Sequence, residues 1–136
     1  MNWYFAVLKK YAEFDGRARR KEYWMFTLIS GIITLIPYTY LVSVIVADPD
    51  AGFTGEASAI ISFFGFYSLG VFIPTLAVTV RRLHDTNRSG WAILWGLVPL
   101  IGSFMVLYFL ISEGHPGVNQ YGENPKEQEN FQLYED

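Results

Sequence analysis

The sequence predicts an all-α membrane protein with three transmembrane helices at about residues 24–47, 57–80 and 91–112, preceded by a short amphipathic interfacial helix. Three stretches at these positions contain no Asp, Glu, Lys, Arg or His, and each is at least 22 residues long. A helix that rises about 1.5 Å per residue needs about 20 residues to cross a hydrocarbon core of about 30 Å. The chain is also 51% hydrophobic and 18% aromatic, which is rich for a soluble domain of 136 residues.

A soluble helical bundle is the alternative to this prediction. Helices that are apolar on all sides need burial on every side, and 136 residues cannot surround three of them with protein. A cleaved signal peptide does not explain the first stretch, because its apolar region is too long and 23 residues precede it. We therefore expect one integral membrane domain over residues 1–125 and an acidic, disordered tail over 126–136.

The segment before the first span predicts the interfacial helix. Its apolar residues recur at helical spacing, whereas Lys9, Lys10 and Glu13 cluster on the opposite side. The apolar set comprises Tyr4, Val7, Leu8, Tyr11 and Phe14. Such a face either lies against the acyl chains of the membrane or packs against the protein's own helices, and the sequence leaves both open.

Each predicted span contains one proline, and we expect a kink at each. A proline inside a helix removes one backbone hydrogen bond and leaves the carbonyl four residues earlier without its helical donor. The prolines are Pro37, Pro74 and Pro99, and the carbonyls belong to Ile33, Gly70 and Trp95.

The distribution of basic residues predicts the orientation in the membrane. Nine of the ten Lys and Arg residues lie within residues 9–21 and 81–88, none lies within 48–56, and only Lys126 follows residue 112. Lys and Arg accumulate on the cytoplasmic side of bacterial inner membranes. We therefore expect the N-terminus and the segment 81–90 in the cytoplasm, with the 48–56 loop and the C-terminus outside.

The stretch RRLHDTNRSGW, residues 81–91, carries most of the chemistry between the second and third spans. Its residues are typical of a structural clasp: Asp85 is a partner for one of the neighbouring arginines, and Asn87 and Ser89 are natural N-caps. Trp91 then begins the third span as an interface anchor. On this interpretation the clasp consists of His84, Asp85, Ser89 and Trp91.

Two other interpretations of this stretch remain. Clustered arginines beside a helix N-terminus can bind a phosphate or a lipid headgroup; the candidate residues are Arg81, Arg82, Arg88, Arg17, Arg19 and Arg20. Catalysis would need His84 and Asp85 as an acid/base pair, but adjacent residues seldom point at one another and no nucleophile is fixed nearby. One His and one Asp are also too few for a transition metal. We expect no catalytic residue, metal or cofactor.

The third span allows an alternative topology. If WGLVPLIGS, residues 95–103, is a broken, re-entrant element, the turn-prone segment GVNQYGENP, residues 117–125, returns to the inner side and meets RRLHD. Non-helical backbone at membrane depth is tolerated only where protein or water surrounds it. The length of the apolar run and the single Lys after it favour the full span instead.

Four motifs in order resemble one known family: FDGRARRKEYW (14–24), RRLHDTNRSGW (81–91), VPLIG (98–102) and GVNQYGENP (117–125). They are similar to the small bacterial inner-membrane proteins of the domain-of-unknown-function family 805, the YhaH-type proteins, over about residues 14–125. The resemblance implies a cytoplasmic-membrane location and a three-span architecture. It implies no activity.

The preferred functional hypothesis is a non-enzymatic membrane module. Nine basic residues and all four tryptophans are predicted at one interface, which favours binding of anionic lipid or of a protein partner through the cytoplasmic face. A homo-oligomer is compatible with this hypothesis, and no nucleic-acid partner is expected. The alternatives are an oligomeric transport or channel component, although the spans contain no ionisable group, and an enzyme acting on a lipid phosphate.

Overall fold

The computed structural model describes residues 3–48 and 55–128. Besides a helical turn at 125–128, these residues form five helical segments. In chain order they are α1 (Trp3–Lys9), α2 (Arg20–Ala47), α3 (Gly55–Asp85), a 3-10 helix (Gly90–Leu97) and α4 (Ile101–Ile111). Within the described residues, extended pairing is limited to one isolated bridge between Asn119 and Gly122. The all-α class is therefore as predicted. Most of the predicted acidic tail, and the loop over 49–54, lie outside the described residues.

Two helices, α2 and α3, are long and apolar enough to cross a membrane. They contain 28 and 31 residues, and their most apolar 18-residue windows have mean hydropathies of 2.0 and 1.8. Only 0% and 6% of these windows is buried inside the protein, and side chains such as Phe66 and Leu69 are 78% and 73% exposed. A soluble bundle would bury such side chains, so these surfaces face lipid. α3 also continues through Asp85, so that RRLHD is its last turn.

The apolar face of α1 packs against the protein's own helices. Val7 is fully buried with Ala18, Phe26 and Val78, and the Tyr4 ring stacks on Phe26 with centroids 5.2 Å apart. Burial, together with a hydrogen bond to another tyrosine hydroxyl, raises the pKa of Tyr4 to about 12. Of the two alternatives for the apolar face of α1, the structure therefore shows the second, in which the face packs against the protein's own helices.

Pro74 lies inside α3, and its effect on the backbone is compensated from outside the helix. The Gly70 carbonyl, four residues before Pro74, accepts a hydrogen bond from the Tyr11 hydroxyl at 2.7 Å. A carbonyl at membrane depth has no water to bind, so this side chain supplies the donor that proline removes. The contact also fastens the segment after α1 to α3.

The prediction of a third helix over residues 91–112 is wrong, because the chain breaks at Pro99. Val98, which precedes proline, is extended (φ −76°, ψ 118°), and Leu100 has a φ of +65°. A proline disfavours helical backbone at the residue before it and cannot donate to Trp95. The Trp95 carbonyl instead accepts from the Val98 amide at 2.9 Å. The 3-10 helix and α4 are therefore separate elements.

These two elements fold back on each other as a hairpin. A Cβ built on Gly102 would lie 1.7 Å from the Trp95 carbonyl oxygen, so only glycine permits this approach at the turn. At the open end of the hairpin, Ala92 and Ile93 pack against a buried cluster of Leu83, Phe109 and Leu110. Eight 3-10 residues span about 16 Å and eleven α-helical residues about 16 Å, so the two arms match in length.

The end of α3 turns the chain into this hairpin. Asn87 adopts a left-handed conformation (φ 58°), its amide donates to the His84 carbonyl, and the Arg88 amide donates to the Leu83 carbonyl. This pattern is a Schellman C-cap with asparagine in the position usually held by glycine. Asn87 therefore ends α3 rather than capping the next helix, whereas Ser89 is an N-cap as predicted and accepts from the Trp91 amide at 3.4 Å.

Candidate functional site

Three charged side chains from distant parts of the sequence meet at the end of α3. Asp85 accepts hydrogen bonds from Arg17 at 3.0 Å and from Arg82, one helical turn before it. The side chains of all three are at most 7% exposed. We call Arg17, Arg82 and Asp85 the arginine cluster. Because both oxygens of the carboxylate are paired, the cluster can be buried without an uncompensated negative charge.

Arg82 binds the C-terminal end of α4. Its Nε donates to the Leu110 carbonyl at 3.0 Å, and its Nη2 donates to the Ser112 carbonyl. The last carbonyls of a helix have no donor within the helix and carry partial negative charge, so a guanidinium there satisfies both requirements. Arg20 adds a third bond, from Nε to the Ser112 carbonyl at 3.0 Å.

Arg17 binds the chain that follows α4, residues 112–128, which we call the C-terminal segment. Its Nη2 donates to the His115 carbonyl at 2.6 Å, and its Nη1 donates to the carbonyls of Gly117 and Gly122 at 2.7 and 3.3 Å. The His115 amide in turn donates to the Asp85 carbonyl at 2.6 Å. One arginine thus joins the segment before α2, the end of α3 and the C-terminal segment.

The C-terminal segment therefore lies beside RRLHD, whereas the predicted three full spans would place the two on opposite sides of the membrane. Asn119 donates from its side chain to the His84 carbonyl at 2.9 Å, and the rings of Tyr121 and His84 stack at 3.8 Å. The cause is the break at Pro99: it converts an apolar run long enough to span the membrane into a hairpin that returns to its starting point.

A second buried pair, Arg81 with Glu22, joins α3 to the first turn of α2. The two side chains are 2.7 Å apart and 1% and 12% exposed. Nε and Nη2 of Arg81 are buried without a hydrogen-bond partner in the described structure. Neither Glu22 nor the pairing of Arg17 with Asp85 was predicted from the sequence. A carboxylate inside the basic stretch GRARRKE was the available signal.

The other predicted anion-binding arginines are more accessible. Arg88 lies over the Phe109 ring, 4.0 Å from its centre, in a cation–π contact. Arg19 is the N-cap residue of α2 and is partly exposed, and the Arg20 side chain is 37% exposed with Nη1 3.7 Å from Glu113. The six arginines thus divide into three that are buried and three that reach the surface.

A polar cavity of about 150 Å³ lies beside the arginine cluster. Its basic lining residues are Arg19, Arg20 and Lys126, and its acidic ones are Asp85 and Glu113. Gly114, Pro116, Asn124 and Pro125 complete the lining. The balance of charge is positive, and Asp85 is already paired with both arginines of the cluster, so the cavity offers a small basic site at the surface.

His84 and Asp85 are not arranged as an acid/base pair. The His84 Nδ1 lies 3.2 Å from the Gly16 carbonyl, whereas the Asp85 carboxylate faces two arginines. Among residues 3–48 and 55–128 no three His, Cys, Asp or Glu side chains are grouped to hold a metal ion. Trp91 is 77% exposed at the start of the 3-10 helix, a position suited to an interfacial anchor.

The fold and the site define a small helical membrane protein in which buried arginine–carboxylate pairs close one end of two long helices. The model of the family described as protein of unknown function DUF805 matches residues 11–123. The chain belongs to this family, as the four sequence motifs indicated.

Curated relatives are similar over nearly the whole chain. The inner membrane protein YhaI of Escherichia coli K12 is 47% identical over 93% of this chain and 97% of its own. The inner membrane protein YhaH of the same organism is 44% identical, over 93% and 98%. The uncharacterized protein YiiR is 26% identical, over 84% and 86%. No solved structure matches the chain.

Proposed function

We propose a topology in which α2 and α3 span the membrane and the 3-10 helix and α4 form a re-entrant hairpin. Each arm of about 16 Å reaches about halfway across a hydrocarbon core of about 30 Å. Both the N-terminal and the C-terminal segments then lie in the cytoplasm. All ten Lys and Arg residues share that side, Lys126 included, which satisfies the positive-inside rule better than three full spans do.

We further propose that the protein is a non-enzymatic membrane module that binds an anionic phosphate headgroup in the polar cavity. The observation that supports this function is the convergence of Arg19, Arg20 and Lys126 around one cavity of about 150 Å³. That volume equals about five waters at about 30 Å³ each, which suits a phosphate group rather than a large sugar headgroup. The N-terminus of α2, which begins at Arg20, lies at the same place, and the partial positive charge of a helix N-terminus favours an anion there.

Arg17, Arg81 and Arg82 have a different role in this proposal. Each is at most 7% exposed, and their hydrogen bonds go to carboxylates and backbone carbonyls of the protein. We assign them the structural task of holding the cytoplasmic end together. Headgroup binding is left to the arginines that line the polar cavity, together with Lys126.

Removing two cavity charges is expected to weaken binding of phosphatidic acid. In an Arg19→Gln/Lys126→Gln variant the bond from Arg20 to Ser112 is retained, and at about 1 kcal/mol per basic residue we expect affinity to fall by about tenfold or more. Native mass spectrometry of the detergent-solubilised protein, titrated with phosphatidic acid, phosphatidylcholine or inorganic phosphate, measures the change and separates lipid from free phosphate.

The matched control removes the same charge elsewhere. Lys9→Gln/Lys10→Gln neutralises two basic residues near the end of α1, outside the residues that line the cavity. This variant is expected to bind phosphatidic acid as the parent does. Equal losses in both variants would show that only bulk charge matters, and unchanged binding in the Arg19/Lys126 variant would remove the proposed site.

A further inference from the structure

A second cavity, larger and mainly apolar, opens between the end of α3 and the 3-10 helix. Its volume of about 610 Å³ falls within the range of about 300–1,000 Å³ that is typical of small-molecule sites. Its apolar lining residues are Phe14, Leu76, Val80, Trp91 and Ile93. We call this cavity the aromatic groove. No residue in the described part of the chain lines both this groove and the polar cavity.

Among the described residues that line the groove, His84 is the one that can ionise, and its ring is held in a defined state. A carbonyl oxygen only accepts, so the contact of Nδ1 with the Gly16 carbonyl at 3.2 Å requires a proton on Nδ1. One face of the ring is covered by Tyr121, with centroids 3.8 Å apart and planes inclined by 2°. In the neutral ring Nε2 is then a lone-pair acceptor, and it is the polar atom left for a ligand.

Ser89 supplies the complementary group. Its Oγ accepts from the Trp91 amide at 3.4 Å, and this leaves the hydroxyl proton available as a donor. A ligand hydroxyl donates one hydrogen bond and accepts others, so it matches His84 and Ser89 together. Among the described residues that line the groove there is no Asp, Glu, Lys or Arg to pair with a charged head, which favours a neutral one.

We propose that the aromatic groove binds a neutral membrane amphiphile with a free hydroxyl head. The hydroxyl donates to Nε2 of His84 and accepts from Ser89, and the apolar chain lies along Leu76 and Val80 toward the membrane. Trp91, which is 77% exposed and lines the groove, flanks the head at the interface. This site is independent of the phosphate site, so either can fail without the other.

Brominated probes test this proposal with Trp91 as the reporter. 9,10-Dibromostearyl alcohol and its methyl ether have the same chain, but only the alcohol can donate a hydrogen bond. We expect the alcohol to quench tryptophan fluorescence at about tenfold lower concentration than the ether. The difference should disappear in His84→Phe, which keeps an aromatic ring for Tyr121 to stack on, and the saturable quenching should disappear in Trp91→Phe.

Two further variants separate the groove from ordinary lipid contact. Leu76→Phe places a larger ring in the groove and is expected to abolish the preference for the alcohol, whereas Leu69→Phe, on the lipid-exposed surface of the same helix, should keep it. Equal quenching by the alcohol and the ether in the parent would overturn the proposal. So would a preference for the alcohol that survives Leu76→Phe.

Discussion

Replacing Asp85 with Asn is expected to remove about 3–5 kcal/mol of folding stability. The carboxylate is bound by both Arg17 and Arg82, whose side chains are 1% and 0% exposed. Asn keeps the shape but not the charge, so two buried guanidinium groups lose their common counterion. The same change weakens the attachment of α4 and of the C-terminal segment, because these two arginines bind their carbonyls.

Chemical denaturation in detergent, followed by circular dichroism, measures this effect. Glu113→Gln is the matched control, since its side chain is 79% exposed and 3.7 Å from Arg20, and it should change stability by less than about 1 kcal/mol. The Asp85→Asn/Arg82→Gln double variant should be less destabilised than the sum of its single variants, because the two residues interact. Additive losses, or an Asp85 variant as stable as the Glu113 control, would show that the cluster is not a unit.

Gly114→Ala is expected to have the second largest effect, a loss of about 1–3 kcal/mol. A Cβ at Gly114 would lie 2.2 Å from one carboxylate oxygen of Asp85 and 2.7 Å from its Cγ. Neither the Asp85 carboxylate nor the backbone at Gly114 can move freely. The carboxylate is held by two arginines, and the His115 amide, next to Gly114, donates to the Asp85 carbonyl. One added methyl group must therefore displace the C-terminal segment from the end of α3.

The same denaturation assay tests this prediction against a helical glycine with open surroundings. Gly31→Ala in α2 meets nothing within 4 Å, and we expect it to be neutral or slightly stabilising, since alanine favours helix. In Gly114→Ala, limited proteolysis should also cut the C-terminal segment earlier than in the parent. A Gly114→Ala protein that matched Gly31→Ala in both assays would mean that the segment does not pack against Asp85.

The elements set by local sequence were predictable, and the fold of the third apolar run was not. Uninterrupted apolar runs located α2 and α3, because any helix of that length and composition satisfies its backbone in lipid. The run over 91–112 passes the same length test whether it spans the membrane or folds back. Pro99 was recognised as a kink, but its consequence depends on Trp95, Gly102 and the packing between the two arms.

The candidate site was predictable in composition but not in pairing. Asp85 was expected to pair with a neighbouring arginine. Arg82 lies three residues before it, a spacing at which two side chains can meet on any α-helix. The partner Arg17 is 68 residues distant, and no local periodicity encodes such a contact. The capture of α4 by Arg82 and Arg20 also depends on the hairpin, so it could not be inferred while the run was taken as a span.

Single-cysteine labelling tests the central claim, that the C-terminal segment lies on the same side of the membrane as the segment before α2. The chain contains no cysteine, so Glu13→Cys, Glu56→Cys and Glu123→Cys each introduce one reporter at an exposed position. We predict that a membrane-impermeant maleimide labels Glu13→Cys and Glu123→Cys in inside-out vesicles only, and Glu56→Cys in spheroplasts only. Labelling of Glu123→Cys in spheroplasts together with Glu56→Cys would contradict the re-entrant hairpin and the closed arginine cluster.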